Sequence, residues 1–125
     1  MKFTNRIALL LVALFLADAR SAAGAETNQA FARWEKEIAA YEAADATNPP
    51  PKGAILFVGS SGIRLWKTLA QDFPGHTVIN RGFGGSHIAD STHFADRIIF
   101  PYAPQAIFLR AGGNDLAAGK SPEQV

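Results

Sequence analysis

The sequence contains no cysteine, and its longest unbroken hydrophobic run is eleven residues, Ile7–Ala17. The first absence excludes a disulfide scaffold and a thiolate metal site. The second excludes a membrane-spanning helix, which needs roughly 20 apolar residues. An excess of one charge is also missing, since 12 Lys and Arg face 11 Asp and Glu across 125 residues. A balanced chain lacks the electrostatic footprint for nucleic acid or an anionic membrane surface, so neither is expected as a partner. Disorder is excluded by what is present, a hydrophobic share of 48%. The length allows a single domain.

The chain opens with Lys2 and Arg6 ahead of the apolar run, and small residues after it end in Ala23-Gly24-Ala25 before Glu26. Basic start, short apolar centre and A-x-A exit describe a secretory signal peptide over residues 1–25. Its removal leaves 100 residues with a net charge of −1, because Lys2, Arg6, Arg20 and Asp18 leave with it. Export without cysteine predicts a periplasmic or secreted protein, where disulfides are permitted but not required.

Residues 26–52 form the next segment. Phe31, Trp34, Ile38 and Tyr41 fall on one stripe of an amphipathic helix over 27–45, a packing face rather than a ligand box. Asn48-Pro-Pro-Pro51 ends the helix as a stiff connector.

Residues 53–125 alternate. Ala54–Val58, Thr77–Asn80 and Ala106–Leu109 read as three short strands, the first and third as buried ones. Between them, Ser60–Leu69 reads as a helix with Ile63, Trp66 and Leu69 on one face. Ile88–Phe100 reads as a second helix, stopped by Pro101. Strand and helix in alternation predict an α/β fold with a parallel sheet and helices on both faces. Ser121-Pro122-Glu123-Gln124 has the features of a helix start, yet Val125 follows at once. Three strands are also few for a wound sheet, so the sequence is expected to stop short of the whole fold.

Ligands bind beyond the carboxyl ends of strands in such sheets. Here each strand leads into a glycine-rich turn with polar residues: Gly59-Ser60-Ser61-Gly62, Asn80-Arg-Gly-Phe-Gly-Gly85-Ser-His87, and Ala111-Gly-Gly-Asn114-Asp115. A serine at a strand-to-helix turn projects its hydroxyl from the sheet edge, near N–H groups that favour a developing oxyanion.

These three blocks, in this order and on these elements, resemble those of the SGNH hydrolases, the GDSL-type esterases and lipases. The resemblance covers residues 53–125 and implies a three-layer α/β/α, flavodoxin-like architecture, incomplete at its C-terminus. It implies Ser61 as nucleophile, with Gly85 giving a backbone N–H and Asn114 a side-chain amide to an oxyanion hole. An acyl ester of a small molecule, glycan or lipid is the implied substrate, and no cofactor or metal is implied. Ser60 stands where the family has Asp, which alters the surroundings of the nucleophile. The family's last block, Asp-x-x-His, supplies base and orienting carboxylate, and the sequence ends before reaching it, so the fragment is expected to be inactive.

Other readings are weaker. Asp90-Ser-Thr-His93 spells Asp-x-x-His, but it lies inside the second crossover helix, and a local or solvated pair is the plain reading. His87 follows the glycine loop and His76 precedes a strand; both are expected to be ordinary polar positions, with the rim of the site as the weaker reading of His87. Ser60 is expected to cap the first crossover helix and Trp66 to pack it on the sheet. Arg81, Arg110 and Asp115 lie near strand ends, where structural or solvated roles are expected. Gly113 to Lys120-Ser121 approaches a phosphate-binding loop, but five residues separate its glycines where four are needed, and Pro122 removes an N–H. Gly82-Phe-Gly84 lacks the third glycine of a dinucleotide fingerprint, since position 87 is His. A non-catalytic module binding a carbohydrate or acyl group is the remaining alternative.

Overall fold

The computed structural model describes residues 29–125, so the expected signal peptide lies outside the described residues. The chain divides into two compact units, Met1–Arg33 and Trp34–Val125. Of the first, the described part is a helical turn over 29–32. The second carries the sheet.

Three parallel strands, β1 (Ile55–Gly59), β2 (Val78–Gly82) and β3 (Ala106–Arg110), lie in the order β2-β1-β3. The fold is therefore α/β, as expected from the alternation. Strand β1 is central, pairing Ile55 with Val78 on one side and with Ala106 on the other. Side chains of a strand alternate between faces. On one face Phe57 gathers Ile63, Leu69, Trp66 and Phe73 from the segment between β1 and β2. That segment holds two short helices, α2 (Ser61–Arg64) and α3 (Leu69–Asp72), rather than the single expected helix. The expected face of Ile63, Trp66 and Leu69 nevertheless meets the sheet.

On the other face, Val58, Ile107 and Leu109 line an apolar cavity with Ile88, Ala95 and Ile99 of the segment between β2 and β3. That segment is α4 (Ile88–His93), α5 (Ala95–Ile98) and a 3-10 turn, Phe100–Tyr102, where one helix was expected. The break falls at Phe94, whose ring is buried against Phe83 in an edge-to-face contact. Pro101 sits inside the 3-10 turn, which tolerates its fixed φ and missing donor near a start.

The expected helix is interrupted by a turn at 33–34, so helix α1 (Glu35–Thr47) carries Ile38 and Tyr41 of the expected stripe, Trp34 caps it, and Phe31 lies before the turn. Trp34 meets Phe83 edge-on, Ile38 is fully buried, and the Tyr41 hydroxyl donates to the Gly82 carbonyl. Arg81 lies between the Tyr41 and Tyr102 rings, 4.7 and 4.8 Å from their centroids. Its guanidinium pairs with Asp45 at 2.5 Å and donates to the Tyr102 hydroxyl at 2.7 Å. A buried cation needs such partners, and Arg81 is structural, as the plain reading had it. Burial raises the Tyr41 and Tyr102 hydroxyls above their ordinary pKa, Tyr102 with help from the Asp45 carboxylate.

One expectation fails. Strand β3 is not buried: Ile107, Phe108 and Leu109 are each about half exposed. Among the described residues it pairs with β1 alone, and an apolar run does not record how many neighbours a strand has.

Candidate active site

The chain leaves β1 toward β2 over one face of the sheet, then passes back across β1 to β3 over the other. The winding direction thus reverses between β1 and β3, and in open parallel sheets the crevice outside such a reversal is where ligands bind. A cleft of about 420 Å³ lies there. Ser60, Ser61, Gly62 and Leu65 line it from the β1 side, and Arg110, Ala111, Gly113 and Asn114 from the β3 side.

Close backbone approach builds this cleft. The Ser60 N–H donates to the Arg110 carbonyl at 3.1 Å. A Cβ at Gly59 would lie 2.0 Å from that carbonyl oxygen, so only glycine lets the two strand ends meet. The Ser60 carbonyl then accepts the N–H groups of Ile63 and Arg64, each at 3.0 Å, which turns the chain sharply into α2. Ser60 holds the N-cap position, but its hydroxyl makes no capping bond, contrary to expectation. Ser61, the first helical residue, is exposed and faces the cleft.

Asn114 enters from α6 (Gly113–Ala117). Its Nδ2 donates to the Ser86 carbonyl at 2.8 Å, which leaves the second amide hydrogen for another acceptor. Ser86 is fully buried, and its hydroxyl reaches the Gly59 carbonyl at 3.4 Å, while the Phe83 N–H donates to the same oxygen at 2.9 Å. The turns after all three strands are thereby stitched together. Gly85 is exposed with φ +78° and is not among the residues lining the cleft, though it adjoins the carbonyl that holds Asn114. Of the three expected site residues, Ser61 and Asn114 share one cleft and Gly85 stands behind it.

Asp115 is more than a solvated neighbour. It is 1% exposed and accepts the Ile88 N–H at 3.1 Å and the Lys120 ammonium, with His87 Nδ1 at 3.3 Å. Burial alone would raise its carboxyl, but the Lys120 and Ile88 hydrogen bonds and the nearby positive charge outweigh it and hold the pKa below the ordinary value. The carboxylate thus joins the start of α4 to the start of α6 and fixes Asn114 beside it. The sequence signal for this role is the acid at the mouth of α6, with a lysine five residues on.

The histidines stand elsewhere. His87 contacts Asp115 and is not among the residues lining the cleft, which leaves the weaker rim reading without support. Asp90 is buried and accepts the His87 backbone N–H at 2.7 Å, closing a capping box, while His93 lies exposed at the far end of α4. His76 is exposed ahead of β2. The would-be phosphate loop is helical over Gly113–Ala117, and Lys120 is engaged by Asp115. Ser121 and Gln124 do form the expected capping box, on a 3-10 turn. Among the described residues no helix is long and apolar enough to cross a membrane, and no group of three His, Asp or Glu side chains could hold a metal ion.

No protein-family profile matches this chain, and no curated protein matches it. Among solved structures it is similar to a protein of Streptococcus pneumonia described as a "putative platelet activating factor". The TM-score is 0.55 at 20% identity over 92% of this chain. The chain spans about half of that neighbour's length, 47%. The likeness is one of fold, and it extends over almost all of the chain.

Proposed function

We propose that this chain carries the nucleophile half of an exported ester hydrolase of the SGNH type, with the three-layer architecture that type implies. The observation that supports it is the cleft at the winding reversal, which an exposed serine at a strand-to-helix turn lines together with a fixed asparagine amide.

In the proposed reaction the Ser61 hydroxyl oxygen attacks the ester carbonyl and its proton passes to a base. The oxyanion accepts the free Asn114 amide hydrogen and backbone N–H groups of Ser61 and, after a small adjustment of its turn, Gly85. Collapse expels the alcohol and leaves an acyl-serine, which water hydrolyses. The residues lining the cleft include no imidazole or carboxylate. Turnover therefore draws on an Asp-x-x-His segment of the complete enzyme, as in the serine hydrolase logic of base and orienting acid.

The test is hydrolysis of short-chain p-nitrophenyl esters by the complete gene product. Ser61→Ala should abolish it, and Asn114→Ala should lower kcat by on the order of 10²–10³, the usual effect of losing one oxyanion donor. Wild-type rates from Ser61→Ala overturn the assignment. Binding of acyl esters without any turnover would favour a non-catalytic module instead.

A further inference from the structure

We infer that Arg110 is a seat for an anionic group on the substrate, so that the preferred ester carries a carboxylate or phosphate besides the bond to be cleaved. This deepens the hydrolase reading and rests on it for the word substrate; the anion seat itself rests on the cleft alone.

The other arginines from Trp34 onward are all paired. Arg64 meets Glu37 at 3.1 Å, Arg81 meets Asp45, and Arg97 meets both Glu35 and Glu42. Arg110 is exposed, lines the cleft beside Ser61, and has no ion-pair partner among the described residues. None of the other lining residues is charged, so among the described residues Arg110 alone puts a charge on the cleft wall. The nearby carboxylate of Asp115 is already taken by Lys120.

The guanidinium is also placed. The backbone of Arg110 is fixed by its pairing opposite Gly59 and by the Ser60 N–H on its carbonyl. Its Nη1 occupies the space over Gly62, where a Cβ would lie only 1.5 Å away. A planar guanidinium that lies beside Gly62 and opens to a cleft is suited to two-pronged recognition of an oxyanion. An aliphatic acyl group alone would leave that cation unused.

The test is calorimetric titration of the Ser61→Ala variant of the complete gene product with three esters: monomethyl adipate, methyl 4-phosphonooxybutyrate, and neutral dimethyl adipate. Ser61→Ala keeps the ligands uncleaved. Binding of at least one anionic ester should exceed that of the neutral one by on the order of tenfold to a hundredfold, as for a charge-assisted pair. The preference should weaken with added salt, fall to near one in Arg110→Gln, and return in part in Arg110→Lys. Which of the two anions is preferred identifies the group recognised. Equal binding of all three esters, or a preference that Arg110→Gln retains, overturns the inference. An Arg110-dependent preference in a complete gene product that hydrolyses none of them upholds the anion seat and overturns the hydrolase reading.

Discussion

Strands β1 and β3 are close to the same string written twice. Ile-Leu-Phe-Val-Gly and Ala-Ile-Phe-Leu-Arg are both apolar, run parallel and pair residue by residue. Yet Phe57 is 3% exposed and its register partner Phe108 is 53% exposed. The side chains do not account for this. Strand β1 has a strand on each side, whereas among the described residues β3 has one neighbour. Burial is set by position in the sheet. The core therefore rests on β1, while β3 serves chiefly to carry Arg110 and Asn114 to the mouth of the cleft.

The sharpest way to break that contrast is one substitution at two paired positions. Leu56 and Ile107 are register partners on the same face. Leu56→Lys places a charge where the side chain is fully buried, and folding should be lost altogether, since burying an unpaired charge costs more than the few kcal/mol of net stability a small domain has. Ile107→Lys should cost about 1.5 kcal/mol or less, since only about half of that side chain is removed from water. It should also reduce self-association, because charge on a bare edge blocks strand pairing. Urea unfolding and sedimentation read both effects. A loss of several kcal/mol from Ile107→Lys would mean that β3 lies covered.

A smaller effect sharpens the same point. Phe57 and Phe108 stack with centroids 5.0 Å apart, so each touches the other. Truncating Phe57 also empties the pocket formed with Ile63 and Leu69, and Phe57→Ala should cost about 3–5 kcal/mol. Phe108→Ala loses the stack and half-exposed area, about 1.5 kcal/mol or less. Near-equal losses in urea unfolding would remove the distinction between centre and edge.

Periodicity made the strands and the stripe of α1 legible, because Trp34, Ile38 and Tyr41 repeat with the helix and β1 is apolar throughout. It overran the crossovers. Trp66 and Phe94 satisfy the spacing of a continuous helix, but the chain between β1 and β2 turns between Leu65 and Thr68, and Phe94 closes one helix and opens the next. Apolar spacing reports which side chains face the sheet, and turns can deliver the same facing. The glycine turns were readable for the same reason in reverse: Gly59 and Gly62 mark places where backbone or guanidinium occupies the space of a Cβ. The Asp115 hub was not, because its partners Ile88 and His87 come from another turn, and only the folded order β2-β1-β3 brings them near. The exposure of β3 was hidden likewise, since a run of apolar residues carries no record of its neighbours.

The smallest expected effect concerns the far side of that hub, where Lys120 holds Asp115. A carboxyl whose folded pKa lies below its unfolded value near 3.8 adds stability that is present above that value and lost as the pH falls through the folded one. Lys120 supplies part of the lowering, against the burial that opposes it. Because the lysine side chain is 39% exposed, water and salt screen the pair, and Lys120→Met should cost no more than about 1 kcal/mol at pH 6. That difference between wild type and variant should shrink as the pH is lowered below 3.8, when the protonated carboxyl no longer distinguishes ammonium from methyl. Urea midpoints of the two proteins at pH 6 and pH 3 measure it. A difference that stays constant would place the contribution of Lys120 in the packing of its aliphatic stem, and the fixing of Asn114 would then depend on the Ile88 N–H and the His87 imidazole instead.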